Sequence, residues 1–226
     1  MSLQSRLALR ATLVVPLITA LMFAPAGSFR FWQAWVFIGL FAVFNIFFIG
    51  YFLPRDPGLV ERRLKGKEHR VEQKRFKVIW VLLWTAVLVL PGFDFRFGWS
   101  ERLFGGMPLW LSIAAQVLMA CSWVLIFLVF RYNTFASAVV QVEAGQKVIS
   151  TGPYRIVRHP MYSGLLLMMV AVGFALGSYV TVVPALLKIP LLIYRLVHEE
   201  RMLRKELPGY IEYCERTPWR LVPGVW

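Results

Sequence analysis

Long stretches without a charged residue divide the chain. They cover residues 11–29, 31–54, 78–93, 103–130 and 160–187. A helix needs roughly 20 apolar residues to cross a bilayer core of about 30 Å, and several of these stretches reach that length. Together they exceed what the core of a soluble protein of 226 residues could bury. The pattern therefore predicts an all-α fold, a polytopic transmembrane helical bundle.

The boundaries of the stretches predict four N-terminal spans, at about 8–26, 31–53, 77–92 and 108–130. We interpret the first as a retained helix rather than a cleaved signal peptide, because it is long and further spans follow it. The proline- and glycine-containing segment 53–58 should break the second helix, and Pro91 and Gly92 should end the third. An external loop is then expected over 93–107.

The last apolar stretch, 160–187, is too long for one ordinary helix and has Gly177 and Ser178 near its middle. It predicts a helical hairpin with arms at about 161–176 and 179–200, the second arm kinked by Pro184 and Pro190. The polar, glycine-containing segment 131–159 predicts a folded cytoplasmic loop. We therefore divide the chain into N-terminal transmembrane helices, 1–130, and a C-terminal core with the hairpin and tail, 131–226.

Positive charge predicts the orientation of the bundle. The net charge is +13, and 21 of the 25 Lys and Arg residues fall in the N-terminus, 55–77, 131–158 and the tail from residue 195. Such asymmetry is typical of cytoplasmic loops and predicts that both termini are cytoplasmic. Basic segments beside spans also attract anionic headgroups, so we expect contact with membrane lipids and not with nucleic acid.

Ionisable residues near the last apolar stretch are the first candidates for chemistry. Lys188, Arg195 and Glu199 share one helical face within roughly 40°, and polar groups in membrane spans are costly and often functional. A snorkelling lysine and an ion pair at the helix end would explain the same spacing. The adjacent carboxylates of Glu199 and Glu200 near a helix C-terminus oppose the helix dipole, so they require a cation nearby.

A second cluster, at 152–164, precedes the hairpin. Pro160 suits the first turn of a helix, whose free N–H groups favour an anion. Arg158 and His159 stand beside that turn, and Tyr154 and Tyr162 add aromatic faces with hydroxyl groups. A ligand with a carboxylate, a cation and an aromatic ring would suit them, although an interfacial anchor has the same composition. The two cysteines have no spacing that indicates zinc or a disulfide framework.

These motifs carry a resemblance. The sequence Arg-His-Pro-Met-Tyr-Ser-Gly at 158–164, preceded by Gly-Pro-Tyr at 152–154 and followed by Glu-Glu at 199–200, resembles the isoprenylcysteine carboxyl methyltransferase family. That family belongs to a wider group of membrane methyltransferases that includes phospholipid N-methyltransferases. The resemblance covers about residues 131–224 and extends to the tyrosines Tyr210 and Tyr213. It implies an S-adenosylmethionine-dependent methyltransferase with a cytoplasmic cofactor pocket.

The resemblance also implies roles for individual residues. Glu199 would bind a polar end of S-adenosyl-L-methionine, and Arg195 would face the acceptor. The remaining cofactor contacts would be Gln146, Lys147, Val148, Ile149, Tyr154, His159, Pro160, Met161 and Tyr162.

The acceptor would be lipophilic, a small molecule or a prenylated substrate that enters between helices. A carboxylate acceptor is ionised at neutral pH and needs orientation rather than a base, which the Arg195 guanidinium could provide. An amine acceptor must lose a proton, and Glu200 is the candidate base. Phospholipid or lipid amine N-methylation, a sterol-type membrane reductase and a non-catalytic membrane subunit or transporter stay open as alternatives.

Overall fold

The computed structural model describes residues 3–65, 71–133 and 147–226, and for 3–12, 62–65 and 71–76 it describes the helical backbone only. Over these residues the fold is entirely helical and contains no strand. In chain order the helices are α1 Leu3–Ala26, α2 Trp32–Arg55, α3 Pro57–Lys65, α4 Val71–Phe97, α5 Trp99–Phe104, α6 Leu109–Tyr132, a 3₁₀ turn Gly152–Arg155, α7 Pro160–Ala175, α8 Tyr179–Leu186, α9 Lys188–Glu206 and α10 Tyr210–Arg216.

Within the described residues, four helical segments are long and apolar enough to cross a membrane: Trp32–Arg55, Lys77–Phe97, Leu109–Tyr132 and Tyr179–Glu206. The last of these comprises α8 and α9 together. Two shorter apolar segments, Leu13–Ala26 and Pro160–Ala175, lie in α1 and α7. The all-helical membrane bundle predicted from the sequence is confirmed.

The third span continues beyond the position at which we expected it to end. Pro91 lies inside α4, which runs on to Phe97. Gly92 serves packing rather than a turn, because a Cβ atom there would lie 2.4 Å from the carbonyl oxygen of Met22 in α1. The predicted loop 93–107 was also wrong in part. It contains the end of α4 and the short helix α5, which lies between two left-handed glycines, Gly98 and Gly105.

The second span ends where the sequence predicts. The helix breaks at Asp56, whose Oδ1 accepts a hydrogen bond from the Leu59 N–H at 2.8 Å and so caps the start of α3. Leu59 and Val60 are buried, so α3 packs against the bundle instead of forming an open connection.

The predicted hairpin is present, and its second arm is broken in two. Gly177 adopts a left-handed conformation in the turn, and the Ser178 hydroxyl accepts from the Thr181 N–H to cap α8. The break between α8 and α9 lies at Leu187. Pro190 has no N–H to donate to the carbonyl of Leu186, which explains why the arm cannot continue as one regular helix.

Small residues bring the hairpin against its neighbours. A Cβ atom at Gly164 of α7 would lie 2.9 Å from Ile126 Cγ1 in α6, and one at Gly173 would lie 2.6 Å from Val182 Cγ2 in α8. Close helix approach of this kind is common in membrane bundles, where packing replaces the hydrophobic effect. The first arm is thereby fixed against both α6 and the second arm.

A buried carboxylate connects the helices at the end of the bundle where the hairpin turns. We call this end of the bundle the turn end. Asp94 of α4 is 4% exposed, and its carboxylate accepts hydrogen bonds from the hydroxyls of Ser100 and Ser178. The Ser100 hydroxyl in turn accepts from the Tyr179 N–H at 2.9 Å. The opposite end, where α7 begins and α9 ends, is the site end.

Candidate functional site

The start of α7 is bound to the C-terminal tail by backbone hydrogen bonds. The N–H groups of Arg158 and His159 donate to the carbonyls of Trp219 and Arg220 at 2.9 and 3.0 Å. The Ser163 hydroxyl donates to the carbonyl of Leu221 at 2.7 Å. The segment before the hairpin and the tail, about 60 residues apart in the chain, therefore lie side by side at the site end.

Glu200 of α9 is the centre of an arginine cluster. Its Oε1 lies 3.1 Å from Arg158 Nη2 and 3.2 Å from Arg204 Nη2, and its Oε2 lies 2.6 Å from Arg220 Nε. Glu200 and Arg158 are both buried, at 3% and 7% exposure. The cluster joins α9 to the segment before α7 and to the tail. Because three charged donors are bonded to the carboxylate oxygens, the geometry favours a structural role for Glu200 in holding these segments together.

Arg158 also binds the backbone of the C-terminal segment. Its Nη1 lies 3.3 Å from the carbonyl oxygen of Thr217 and 3.5 Å from that of Cys214. Its Nε is buried and has no hydrogen-bond partner among the residues that the structure describes. One N–H donor of a buried guanidinium is thus left available beside the start of α7.

A second polar group connects the two arms of the hairpin. The Tyr162 hydroxyl donates to Glu199 Oε2 at 2.5 Å, and Arg195 Nε donates to the Tyr162 oxygen at 3.2 Å. Tyr162 lies in the first turn of α7, and Arg195 and Glu199 lie one turn apart in α9. These three predicted site residues therefore meet, and the Glu199 carboxylate is half-buried between the arms.

Lys188 lies apart from this group, although it shares the helical face of Arg195. Its Nζ lies 3.0 Å from the ring centroid of Trp84 and 4.7 Å from that of Trp80, both in α4. The lysine is 1% exposed. It attaches α9 to α4 through cation–π contacts about two helical turns from Arg195.

The aromatic residues around His159 form a buried hydrogen-bonded group. His159 Nε2 lies 3.4 Å from the Tyr210 hydroxyl, and the Tyr213 hydroxyl donates to the carbonyl of Tyr154 at 2.7 Å. Burial lowers the pKa of His159 from 6.5 to about 4, against the opposing effect of the Glu200 carboxylate. The imidazole is therefore neutral at pH 7, so one ring nitrogen can accept a hydrogen bond and the other can donate one.

Tyr154 is held from the other side by Asn133, whose Nδ2 donates to its hydroxyl oxygen at 2.8 Å. Burial raises the pKa of the Tyr154, Tyr210 and Tyr213 hydroxyls above 10, so all three stay protonated at neutral pH. The group therefore presents neutral aromatic rings close to the two carboxylates of α9.

The segment predicted to cover a cofactor is described only in part. Gln146 lies outside the described residues. Lys147 is exposed, Ile149 is half-buried, and Val148 packs against the cluster of Leu203, Leu207, Tyr210, Tyr213 and Cys214. Pro160 is buried at the first position of α7, and Met161 packs toward the main core of the bundle. Within this segment, Val148 is the residue whose contact with the tyrosines places it beside the predicted pocket.

Sequence reasoning did not identify the partners that hold these residues. Asn133, Arg204 and Arg220 each contact a predicted site residue, yet they lie 21, 4 and 20 residues from their partners in the chain. The i,i+4 spacing of Glu200 and Arg204 is a usable signal for a helical ion pair. Nothing in the linear sequence indicates the other two contacts.

The charges and donors suit a zwitterionic ligand that also carries an aromatic ring. The start of α7 provides backbone N–H groups without intrahelical acceptors, and the unpaired Nε of Arg158 adds another donor for an anion. The Glu199 carboxylate can bind a cation, and His159, Tyr154 and Tyr162 supply rings. S-adenosylmethionine, the cofactor that the sequence resemblance implies, carries a carboxylate, a cationic portion and an aromatic base of this kind.

Comparison with known families agrees with this chemistry. Residues 110–208 match the model of the phospholipid methyltransferase family, which is part of the group of membrane methyltransferases related to isoprenylcysteine carboxyl methyltransferase. The matched region extends from α6 to the end of α9 and contains the paired carboxylates. The match agrees with the resemblance predicted from the sequence, and for this part of the chain it supports a membrane methyltransferase.

Proposed function

We propose that this protein is a membrane methyltransferase that uses S-adenosylmethionine as its methyl donor and methylates a carboxylate on a lipophilic acceptor. One observation carries the proposal: Tyr162 at the start of α7 is hydrogen-bonded to Glu199 and to Arg195 near the end of α9. That contact brings a carboxylate and a guanidinium together beside His159 and the start of the hairpin. The family match over residues 110–208 supports the reaction class.

Residues of this chain would hold the cofactor by complementary charge. We assign the carboxylate end to the N–H groups at the start of α7 and to Arg158 Nε, and the cationic portion to Glu199. The rings of His159 and Tyr154 would contact the adenine, with Val148 closing the pocket. When bound, S-adenosylmethionine supplies an activated methyl group on a positively charged sulfur. The protein then has mainly to orient the acceptor and exclude water.

A carboxylate acceptor is favoured over an amine acceptor because the two candidate bases, Glu200 and His159, are poorly suited to remove a proton. Glu200 is occupied by three arginines, and the pKa of His159 is about 4, so neither is suited to take a proton from an ammonium group. An ionised carboxylate needs no such base. Arg195 would align it through charge-assisted hydrogen bonds, with Tyr162 holding the guanidinium in position.

The site end is inferred to face the cytoplasm, with both termini on that side. The helices that end there carry basic residues in their last turns: Arg55 in α2, Arg131 in α6, and Arg204 and Lys205 in α9. This distribution follows the positive-inside rule. A water-soluble cofactor would then enter from the cytoplasm, and the lipophilic acceptor would enter from the bilayer.

Cofactor binding is tested by calorimetry with S-adenosylhomocysteine on the detergent-purified protein. We expect wild type to bind, and Glu199→Gln and His159→Ala each to weaken binding at least tenfold. Glu206→Gln and His198→Ala are matched controls, because both residues are exposed on α9. Equal affinity in all five proteins would contradict the assignment of the pocket.

The acceptor role of Arg195 needs a separate measurement. Loss of a charge-assisted hydrogen bond of about 1.5–3 kcal/mol should lower kcat/KM roughly 10–100-fold in Arg195→Met. Affinity for S-adenosylhomocysteine should stay within about threefold of wild type. The exposed Arg201→Met is the control. Full turnover by Arg195→Met would show that another group orients the acceptor.

A second candidate is N-methylation of a phospholipid amine, which the similarity to the phospholipid methyltransferase family favours. Radiolabelled methyl transfer to an S-prenylated cysteine and to phosphatidylethanolamine separates the two functions. A methyl ester releases its label as methanol in alkali, whereas an N-methyl group keeps it. Alkali-stable label on the amine lipid alone would replace the carboxylate proposal.

A further inference from the structure

Three buried polar atoms near the turn end have no hydrogen-bond partner among the described residues. They are the side-chain oxygens of Gln33 in α2 and of Ser112 and Gln116 in α6. Ser112 and Gln116 are 1% and 5% exposed. Buried polar groups are nearly always paired, with protein or with ordered water. Three unpaired oxygens on two adjacent helices therefore require a common explanation.

The surrounding contacts bring these oxygens into one region. Gln116 Nε2 donates to the backbone carbonyls of Gln33 at 3.2 Å and of Ala175 at 2.8 Å. Its Oε1 therefore points away from those two carbonyls. Ser112 lies one turn along α6 on the same face as Gln116. The side chain of Gln33 packs on the turn, since a Cβ atom at Gly177 would lie 2.7 Å from its Nε2.

We propose that one buried water molecule binds between Gln33, Ser112 and Gln116. A water has two donors and two acceptor lone pairs. It can donate to both glutamine Oε1 atoms and accept from the Ser112 hydroxyl, which satisfies all three unpaired groups at once. Buried waters typically make about three hydrogen bonds of this kind.

A metal ion fits the same atoms less well. Hard cations such as Ca²⁺ take about 6–8 oxygen ligands, commonly with carboxylates among them. The three oxygens here are neutral, and the buried carboxylate described at this end, Asp94, accepts from Ser100 and Ser178. Water is therefore the ligand that matches both the number and the charge of the available groups.

The bound water would join three parts of the molecule. It connects α2 to α6, and Gln116 extends the connection to the end of α7 through Ala175. Together with Asp94, it would hold the turn end closed on the side opposite the predicted pocket. The proposal does not depend on which acceptor is methylated.

A structure at about 2 Å resolution, from the full chain in a lipid nanodisc, tests the site directly. We expect a density peak about 2.7–3.2 Å from all three oxygens. In Gln116→Met the peak should be lost, and in Ser122→Ala it should persist, because the Ser122 hydroxyl is already paired with the carbonyl of Met119. Direct pairing of the two glutamine amides, or a peak with six close oxygen ligands, would overturn the proposal.

A double-mutant cycle gives an independent readout. Ser112 and Gln33 have no direct side-chain hydrogen bond in the described structure, so only a shared ligand should couple them. Ser112→Ala and Gln33→Met should each lower the melting midpoint by about 2–4 °C. The double variant should lose clearly less than the sum. The control pair, Ser112→Ala with Ser122→Ala, should be additive, and additivity in the first pair as well would refute the bridge.

Discussion

Removal of the Glu200 charge should destabilise the protein strongly. The Arg158–Glu200 pair is buried, with side-chain exposures of 6% and 5%, and its atoms lie 3.1 Å apart. In Glu200→Gln the arginine would keep its charge in a buried position without a carboxylate. Breaking a buried pair in this way costs about 3–5 kcal/mol.

The contact of Glu200 with Arg204 should add little. The Arg204 side chain is 42% exposed and lies one helical turn away, so that pair contributes less than about 1 kcal/mol. For a chain of this size the total corresponds to a fall in melting midpoint of roughly 6–20 °C. Replacement of both buried partners, Arg158→Met with Glu200→Met, should restore part of the loss because no unpaired charge remains in a buried position.

Thermal unfolding in detergent, followed by tryptophan fluorescence, measures these differences. Arg204→Met is the control and should melt within a few degrees of wild type. Turnover is measured in parallel at a temperature where every variant is folded. If Glu200→Gln melts like wild type but loses turnover while still binding S-adenosylhomocysteine, Glu200 takes part in chemistry, and our interpretation of the arginine cluster is wrong.

Three further predictions concern other parts of the molecule. Tyr162→Phe should raise the Kd for S-adenosylhomocysteine about tenfold or more by calorimetry, because the hydroxyl contacts Glu199; an unchanged Kd would count against this contact. Since His159 has a pKa of about 4 folded against 6.5 unfolded, the unfolded state binds more protons and stability should fall by about 2 kcal/mol between pH 7.5 and 5. His159→Gln should flatten that pH dependence of the melting midpoint, and an unaltered slope would assign it to another group. Gly92→Ala, which places Cβ 2.4 Å from a backbone oxygen, should destabilise by about 1–3 kcal/mol, whereas Gly39→Ala, with nothing within 4 Å, should not; equal melting midpoints would refute the close packing.

The apolar pattern predicted the helices well because membrane spans need long uncharged segments. It failed around Pro91 and Gly92, which are turn signals in most sequences. There the tertiary contact between α1 and α4 required a residue without a side chain, and the helix continued through it. The buried Asp94 was missed for a related reason. A single acidic residue at the end of a span is usually interpreted as part of a loop. Its partners Ser100 and Ser178 are 6 and 84 residues away, so no local pattern indicates the contacts.

The sequence motifs selected the residues of the candidate site but not the groups that hold those residues in place. Arg158, His159 and Tyr162 stand close together in the chain, and the helical spacing of Arg195 and Glu199 placed those two on one face. Their contact with Tyr162 follows from the hairpin, whose two arms meet at the site end. The partners of Glu200 depend on the path of the tail, which no periodic pattern encodes.

The adjacent carboxylates of α9 show how one helix serves two purposes. Neighbouring residues on a helix point about 100° apart, so Glu199 and Glu200 cannot face the same partners. Glu199 faces Tyr162 at the start of the hairpin, and Glu200 faces Arg158 and the tail. Glu200 joins α9 to the segment before α7 and to the tail. The position of Glu199 relative to α7 therefore depends on a charge that itself need not touch a ligand. The paired carboxylates therefore combine a predicted binding group with the group that holds its surroundings in place, and replacing either one tests a different property of the protein.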